Sequence, residues 1–178
     1  MPILTSKKKI LLSKKKLYKI LNDEENHNDF QYQEGLNVDT QPFYPEGSCE
    51  TGGLYFSDVE NIFEFLNYGP YIREVTIPPR VPVYKDPDGN KYKAHKIILG
   101  SRREWKNCLA DLIDEGADVH AGSDAALRNA SSDGHVEVVE LLLDRGADVH
   151  ACSDAALRNA SSNGHVEVVK ILNATGKK

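Results

Sequence analysis

Four histidines, His120, His135, His150 and His165, stand 15 residues apart, and imidazole at regular spacing raises the question of a metal site. A zinc or other transition-metal centre needs three or four donors gathered at one point, with carboxylate or carbonyl support behind them. Here the even spacing follows from a duplication in the chain, so no metal is expected. Cys49, Cys108 and Cys152 are an odd number without the tight spacing of a zinc site or a disulfide framework. They are expected as reduced, buried thiols, with Cys108 and Cys152 packed as small hydrophobes. Three N-x-S/T sequons begin at Asn129, Asn159 and Asn173, and two of them fall inside expected helices. No catalytic residue and no cofactor is expected from these groups.

The elements that hold these residues come from a repeat with a period of 30. Residues 123–151, SDAALRNASSDGHVEVVELLLDRGADVHA, recur from Ser153 as SDAALRNASSNGHVEVVKIL, and EWKNCLADLIDEGADVHA at 104–121 matches the second half of the unit. About two and a half copies result. Each copy predicts two short helices, the first opened by Ser123 or Ser153 as N-cap and broken at Asp133-Gly134 or Asn163-Gly164. In the second helix, Val136, Val139, Leu142 and Leu143 share one face, as do Trp105, Cys108, Leu109, Leu112 and Ile113 in the earlier copy. Gly116 and Gly146 supply the left-handed residue that ends a helix.

The run GHVEVVELLLDRGADVH resembles the ankyrin repeat. Two departures matter. Ala125-Ala126-Leu127-Arg128 replaces the Thr-Pro-Leu-His tetrapeptide of that family, and the spacer between Ala151 and Ala155 is too short to build the family's projecting hairpin. The shortened form is similar to the ankyrin proteins of giant DNA viruses of the mimivirus type. That resemblance implies a solenoid binding a protein partner through its first helices and hairpin tips. The residues on this concave side would be Arg128, Asn129, Ser132 and Asp133, and Arg158, Asn159, Ser162 and Asn163. About three repeats are usually needed for independent stability, so the array from 104 to 178 is expected to lean on what precedes it.

Residues 23–103 change character: turn signals such as Asp86-Pro87-Asp88-Gly89-Asn90 separate short apolar runs. Strands are predicted at 53–56, 71–77, 81–84 and 96–99, with a helix at about 58–67. The stretch from Leu17 through Leu99, with Gly35-Leu36-Asn37, Gly52-Gly53-Leu54-Tyr55-Phe56 and Tyr71-Ile72-Arg73-Glu74-Val75, resembles the domain that precedes the repeats in those viral proteins. A weaker resemblance, carried by Gly53-Leu54-Tyr55-Phe56, is to ADP-ribosyltransferases, in which the matching tyrosine stacks on nicotinamide. Leu17-Tyr18-Lys19-Ile20 lacks the first-strand histidine of that family and no catalytic glutamate presents itself, so a silent version of the fold is implied at most.

The overall reading is α+β, with a small β-rich N-terminal domain followed by a short all-α ankyrin solenoid. Its divisions are a basic leader at 1–22, the β-rich domain at 23–103, and the repeats at 104–178, subdivided into a half repeat 104–121 and copies at 122–151 and 152–178. The leader holds seven lysines and no acid, so a formal charge of -5 for the whole leaves -12 for the remainder. An acidic body argues against nucleic-acid binding. No run reaches the roughly 20 apolar residues of a membrane span, and the start of the chain lacks the apolar core of a signal peptide. An intracellular protein of the host cytoplasm is expected; the lysine clusters at 7–9 and 14–16 read first as a solvated extension, then as a nuclear import signal that would place the chain in the nucleus, or as a membrane-surface helix.

Overall fold

The computed structural model describes residues 12, 14–87 and 89–176 and divides them into two compact units. One draws on residues before Phe63 and on Tyr68–Asn107; the other draws on Phe63–Asn67 and on the chain from Cys108 onward.

The first unit is an antiparallel sheet. Its strands are β1 (Leu17–Leu21), β4 (Gly35–Val38), β5 (Leu54–Asp58), β6 (Tyr71–Thr76), β7 (Val83–Lys85), β8 (Lys91–Ala94) and β9 (Lys96–Leu99), in the order β4-β9-β6-β1-β5-β8-β7. The short β10 (Arg103–Glu104) also pairs with β6, while β2 (Asn26–His27) and β3 (Phe30–Gln31) form a separate hairpin. The turn of that hairpin is Asn28-Asp29, both residues at positive φ, the twist a two-residue hairpin needs. A core of Leu17, Leu21, Leu54, Phe56, Val75, Ile97 and Leu99 lies on one face, with Phe56 stacked on Tyr92 at 5.9 Å.

β1 sits at the centre of the sheet with all five residues buried, so the segment counted with the basic leader is in fact the middle strand. This burial traps a charge. Lys19 donates to the Tyr55 carbonyl at 2.9 Å and lies 4.4 Å from the centroid of the Tyr32 ring, and burial pulls its pKa down to about 7. Its cross-strand partner is Arg73, which is held by a two-pronged ion pair to Glu25 (2.8 and 2.9 Å) and a bond to the Gly100 carbonyl. The second lysine cluster is similarly tied down: Lys15 reaches Asp58 at 2.7 Å and Lys16 reaches Glu74 at 3.6 Å. The cluster at 7–9 lies outside the described residues.

The helix expected near 58–67 is instead a 3-10 segment, Val59–Tyr68. Asp58 at its start accepts from the Asn61 amide at 2.7 Å and from Lys15, and Gly69 at its end runs against the Leu21–Asn22 backbone, where a side chain would not fit.

The second unit contains α1 (Leu109–Asp114), α2 (Ala121–Asp133), α3 (Val136–Asp144), α4 (Ala151–Ser162) and α5 (Val166–Thr175). Val139 and Leu142 of α3 are fully buried, as the pattern predicts. Gly116 and Gly146 adopt positive φ after α1 and α3. One correction concerns the start of the first helices. Ser123 and Ser153 are not N-caps: Gly122-Ser123-Asp124 and Cys152-Ser153-Asp154 are all left-handed, and regular helix begins at Ala125 and Ala155. A spacer too short for a hairpin has been closed as a single left-handed turn. This costs about 1 to 2 kcal/mol for each residue with a Cβ, so other contacts must hold it. A second correction follows, because Cys152 in that turn is exposed, as is Cys49; Cys108 is buried.

Leu142→Ala should lower stability by about 2 to 5 kcal/mol, read as a fall in melting temperature. A fragment of residues 104–178 lacks Phe63–Asn67, which belong to the same unit, and should show no cooperative thermal transition. Because the folded pKa of Lys19 is depressed, the unfolded chain binds the extra proton between about pH 7 and 10.5, and stability should rise with pH across that interval. Chemical denaturation at pH 7 and pH 9 should show this gain, and Lys19→Met should flatten it.

Candidate functional site

The repeat unit is the part of the chain whose residues recur as a set, and its polar side chains fall into two groups. The first group closes the left-handed turn that opens each first helix. The Asp124 carboxylate accepts from His120 Nδ1 at 3.1 Å, and Asp154 accepts from His150 Nδ1 at 2.6 Å, which raises the His150 pKa. Arg128 folds back to donate to the carbonyls of Gly122 (2.8 Å) and Ser123 (3.1 Å), and Arg158 does the same to Cys152 at 3.3 Å. These contacts hold the left-handed turns closed.

The second group fastens one copy to the next. Asp124 also accepts from the Asp148 backbone N–H at 2.7 Å, a bond between the start and the end of the same copy that sets where the next one begins. The Asn163 amide donates to the Ser132 carbonyl (2.7 Å) and hydroxyl (3.1 Å), and His165 Nε2 lies 2.8 Å from the same carbonyl, so that nitrogen carries the proton. Arg145 pairs with Asp114 at 2.9 Å. Gly134 makes room for the His165 ring, because a Cβ there would overlap the imidazole.

Of the eight residues that the sequence marks as partner-facing, at least four are engaged within the repeats: Arg128 and Arg158 on their own turns, and Ser132 with Asn163 across the copies. Asn129 and Asn159 are half-buried on the first helices, while Asp133 and Ser162 are exposed at the ends of α2 and α4. Sequence reasoning passed over Asp124, Gly134 and His165 as latch residues. The only available signal was their exact recurrence with the repeat, which duplication explains equally well.

The histidines accordingly serve as hydrogen-bond partners at the turns and between copies. Among the described residues no group of three or more His, Cys, Asp or Glu is placed to hold a metal ion. Tyr55, the residue of the transferase resemblance, donates to the Glu50 carbonyl at 3.1 Å, and its ring lies 5.3 Å from both the Lys91 and the Lys93 ammonium groups. Burial raises its pKa. Lys93 is fully buried and also faces the Tyr84 ring at 5.3 Å, so these aromatic faces are occupied by lysine.

The two turn glycines test the latch against backbone conformation alone. Gly134 and Gly164 share nearly the same φ (76° and 77°), but only Gly134 has a neighbouring ring in its way. Gly164→Ala should cost about 1 kcal/mol from the left-handed backbone; Gly134→Ala should cost clearly more, and the difference in denaturation midpoint measures the latch.

Comparison with known proteins agrees with this geometry. A family model described as ankyrin repeats (many copies) matches residues 124–172. One ankyrin repeat protein of Acanthamoeba polyphaga mimivirus is 35% identical over 138 residues, covering 74% of this chain and 68% of that protein. Another from the same virus is 40% identical over 123 residues, covering 64% of this chain and 40% of its own length. An uncharacterized mimivirus protein is 35% identical over 134 residues, covering 72% of this chain and 97% of that protein. The repeats from 104 to 178 are 75 of the 178 residues, so matches this long extend into the β-rich domain. No solved structure matches the chain at a significant level. The repeat register, the latched copies and relatives matched over most of their length lead to one conclusion: the chain belongs to the mimivirus family of ankyrin repeat proteins.

Proposed function

We propose that this chain is a protein-interaction module that holds a host or viral protein in the host cytoplasm. The observation that carries this reading is the latch between the copies. Ser132, Asn163 and His165 lock two repeats into one register, so the first helices form a pre-organised platform. A rigid platform loses little conformational entropy on binding, which is the thermodynamic advantage of a solenoid as a binding surface. The recognition residues on this reading are Asn129, Asp133, Asn159 and Ser162, with the exposed Arg158 beside them. Arg128, Ser132 and Asn163 shape the surface from within. No helix among the described residues is long and apolar enough to cross a membrane.

The test is affinity capture of the tagged full chain from Acanthamoeba lysate, alongside an Asn129→Lys/Asn159→Lys double variant of matched melting temperature. The expected result is a protein retained by the wild type and lost by the variant. Identical captures from both would remove these helices as the binding surface.

A further inference from the structure

The connection 39–53 between β4 and β5 is held down by side chains of the strands around it. Tyr84 donates to the Gly47 carbonyl at 2.7 Å, and Lys93 donates to that of Glu50 at 3.2 Å. Asp86, fully buried, accepts from the Ser48 hydroxyl at 2.8 Å and from the Cys49 backbone N–H at 3.1 Å. These contacts fix the position of Cys49, which is itself exposed.

Lys91 of β8 arrives at the same point. Its ammonium lies 2.7 Å from the Cys49 sulfur, 3.6 Å from the Asp86 carboxylate and 5.3 Å from the centroid of the Tyr55 ring, with the side chain only 17% exposed. Three contacts hold in one place a side chain that is flexible by nature. Asp86 thus positions both partners, the sulfur through the Cys49 backbone and the nitrogen through its charge. Burial pulls the Lys91 pKa down, but the thiol and the carboxylate outweigh it and the net shift is upward. An ammonium set against sulfur stabilises the thiolate, the nucleophilic form of cysteine. Cys152 is exposed as well, but there the neighbouring Arg158 donates to the Cys152 carbonyl. Cys49 therefore combines access from solvent with a fixed amine at its sulfur.

We propose that Cys49 and Lys91 are a peroxide-driven crosslinking site, joined on oxidation by a sulfenamide bond between Sγ and Nζ. The thiolate attacks one oxygen of hydrogen peroxide, the O–O bond breaks, and the departing hydroxide takes a proton from the Lys91 ammonium and leaves as water. Cys49 is then a sulfenic acid and Lys91 a neutral amine. The amine nitrogen attacks sulfur, the S–O bond breaks, and the second hydroxide leaves as water with another proton from nitrogen. Sulfur is oxidised by two electrons, the peroxide is reduced to water, and the chain loses two hydrogen atoms. Sulfenic acids condense in this way with backbone nitrogen; here a side-chain amine 2.7 Å from sulfur takes that part. The bond staples the connection 39–53 to β8, and a thiol reductant reopens it. The site lies within the β-rich unit and is independent of binding by the repeats.

The test treats the full chain with hydrogen peroxide and reads the intact mass and the proteolytic peptides. The expected product is lighter by two hydrogen atoms, yields a joined peptide containing Cys49 and Lys91, and reverts with dithiothreitol. Cys152 is the internal reference, and Cys49 should be consumed about tenfold faster or more. Lys91→Arg keeps the positive charge but removes the nucleophilic amine. Its Cys49 should stop at the sulfenic acid, trapped by dimedone, with no joined peptide. Cys49→Ser should abolish the product altogether. Melting temperatures matched to the wild type validate both variants, and the peptide map of the unaltered chain decides the matter where a variant fails to fold. Oxidised Cys49 with the Lys91 peptide still free, a bond to a different lysine, or a Cys49 that reacts no faster than Cys152 overturns the proposal.

Discussion

The repeat region depends on one geometric constraint: the spacer between a second helix and the next first helix is too short for a hairpin. The chain closes it with three left-handed residues, two or three of which carry side chains that disfavour that conformation. Everything nearby is arranged to hold it. Asp124 ties the turn to His120 and to the backbone of Asp148, and Arg128 spans its carbonyls. The motif that distinguishes this chain from the commoner ankyrin unit, Ala125-Ala126-Leu127-Arg128, fits the same purpose. The small alanines pack where the first helix starts, and arginine supplies the donors.

The β-rich unit solves a different problem. Its central strand places Lys19 and Arg73 opposite each other in the interior of a sheet. Arg73 is compensated by Glu25, whereas Lys19 finds only a carbonyl and an aromatic face, and its depressed pKa reflects that shortfall. Lys93 repeats the theme among tyrosine rings. Lysines stacked on tyrosine rings recur across the sheet, and Tyr55 is part of that packing.

The strand at Lys96–Leu99 and those beginning near Gly53 and Tyr71 were legible in the sequence, because alternating apolar residues bounded by turns leave a direct trace. The central strand was less so: LYKIL sits among lysines and reads as the tail of a basic leader until its neighbours bury it. The Asn28-Asp29 hairpin lacks the glycine that usually signals such a turn, and the 3-10 segment copies the spacing of an α-helix over its short length. On the repeats, helix faces and terminating glycines could be read, but the roles of individual polar residues could not.

The sequence by itself determined the repeating unit, its length and its helical faces, because a 30-residue period and the spacing of Val139 and Leu142 are properties of the chain taken one turn at a time. Only the tertiary structure decided which of two identical residues is buried and which is bare. Leu127 and Leu157, Gly134 and Gly164, and Asp124 and Asp154 share their local sequence and backbone, yet differ in surroundings, Gly134 having the His165 ring against it where Gly164 has no described atom. Burial and hydrogen bonding between copies depend on atoms some 30 positions away, and no local pattern encodes whether those atoms are present.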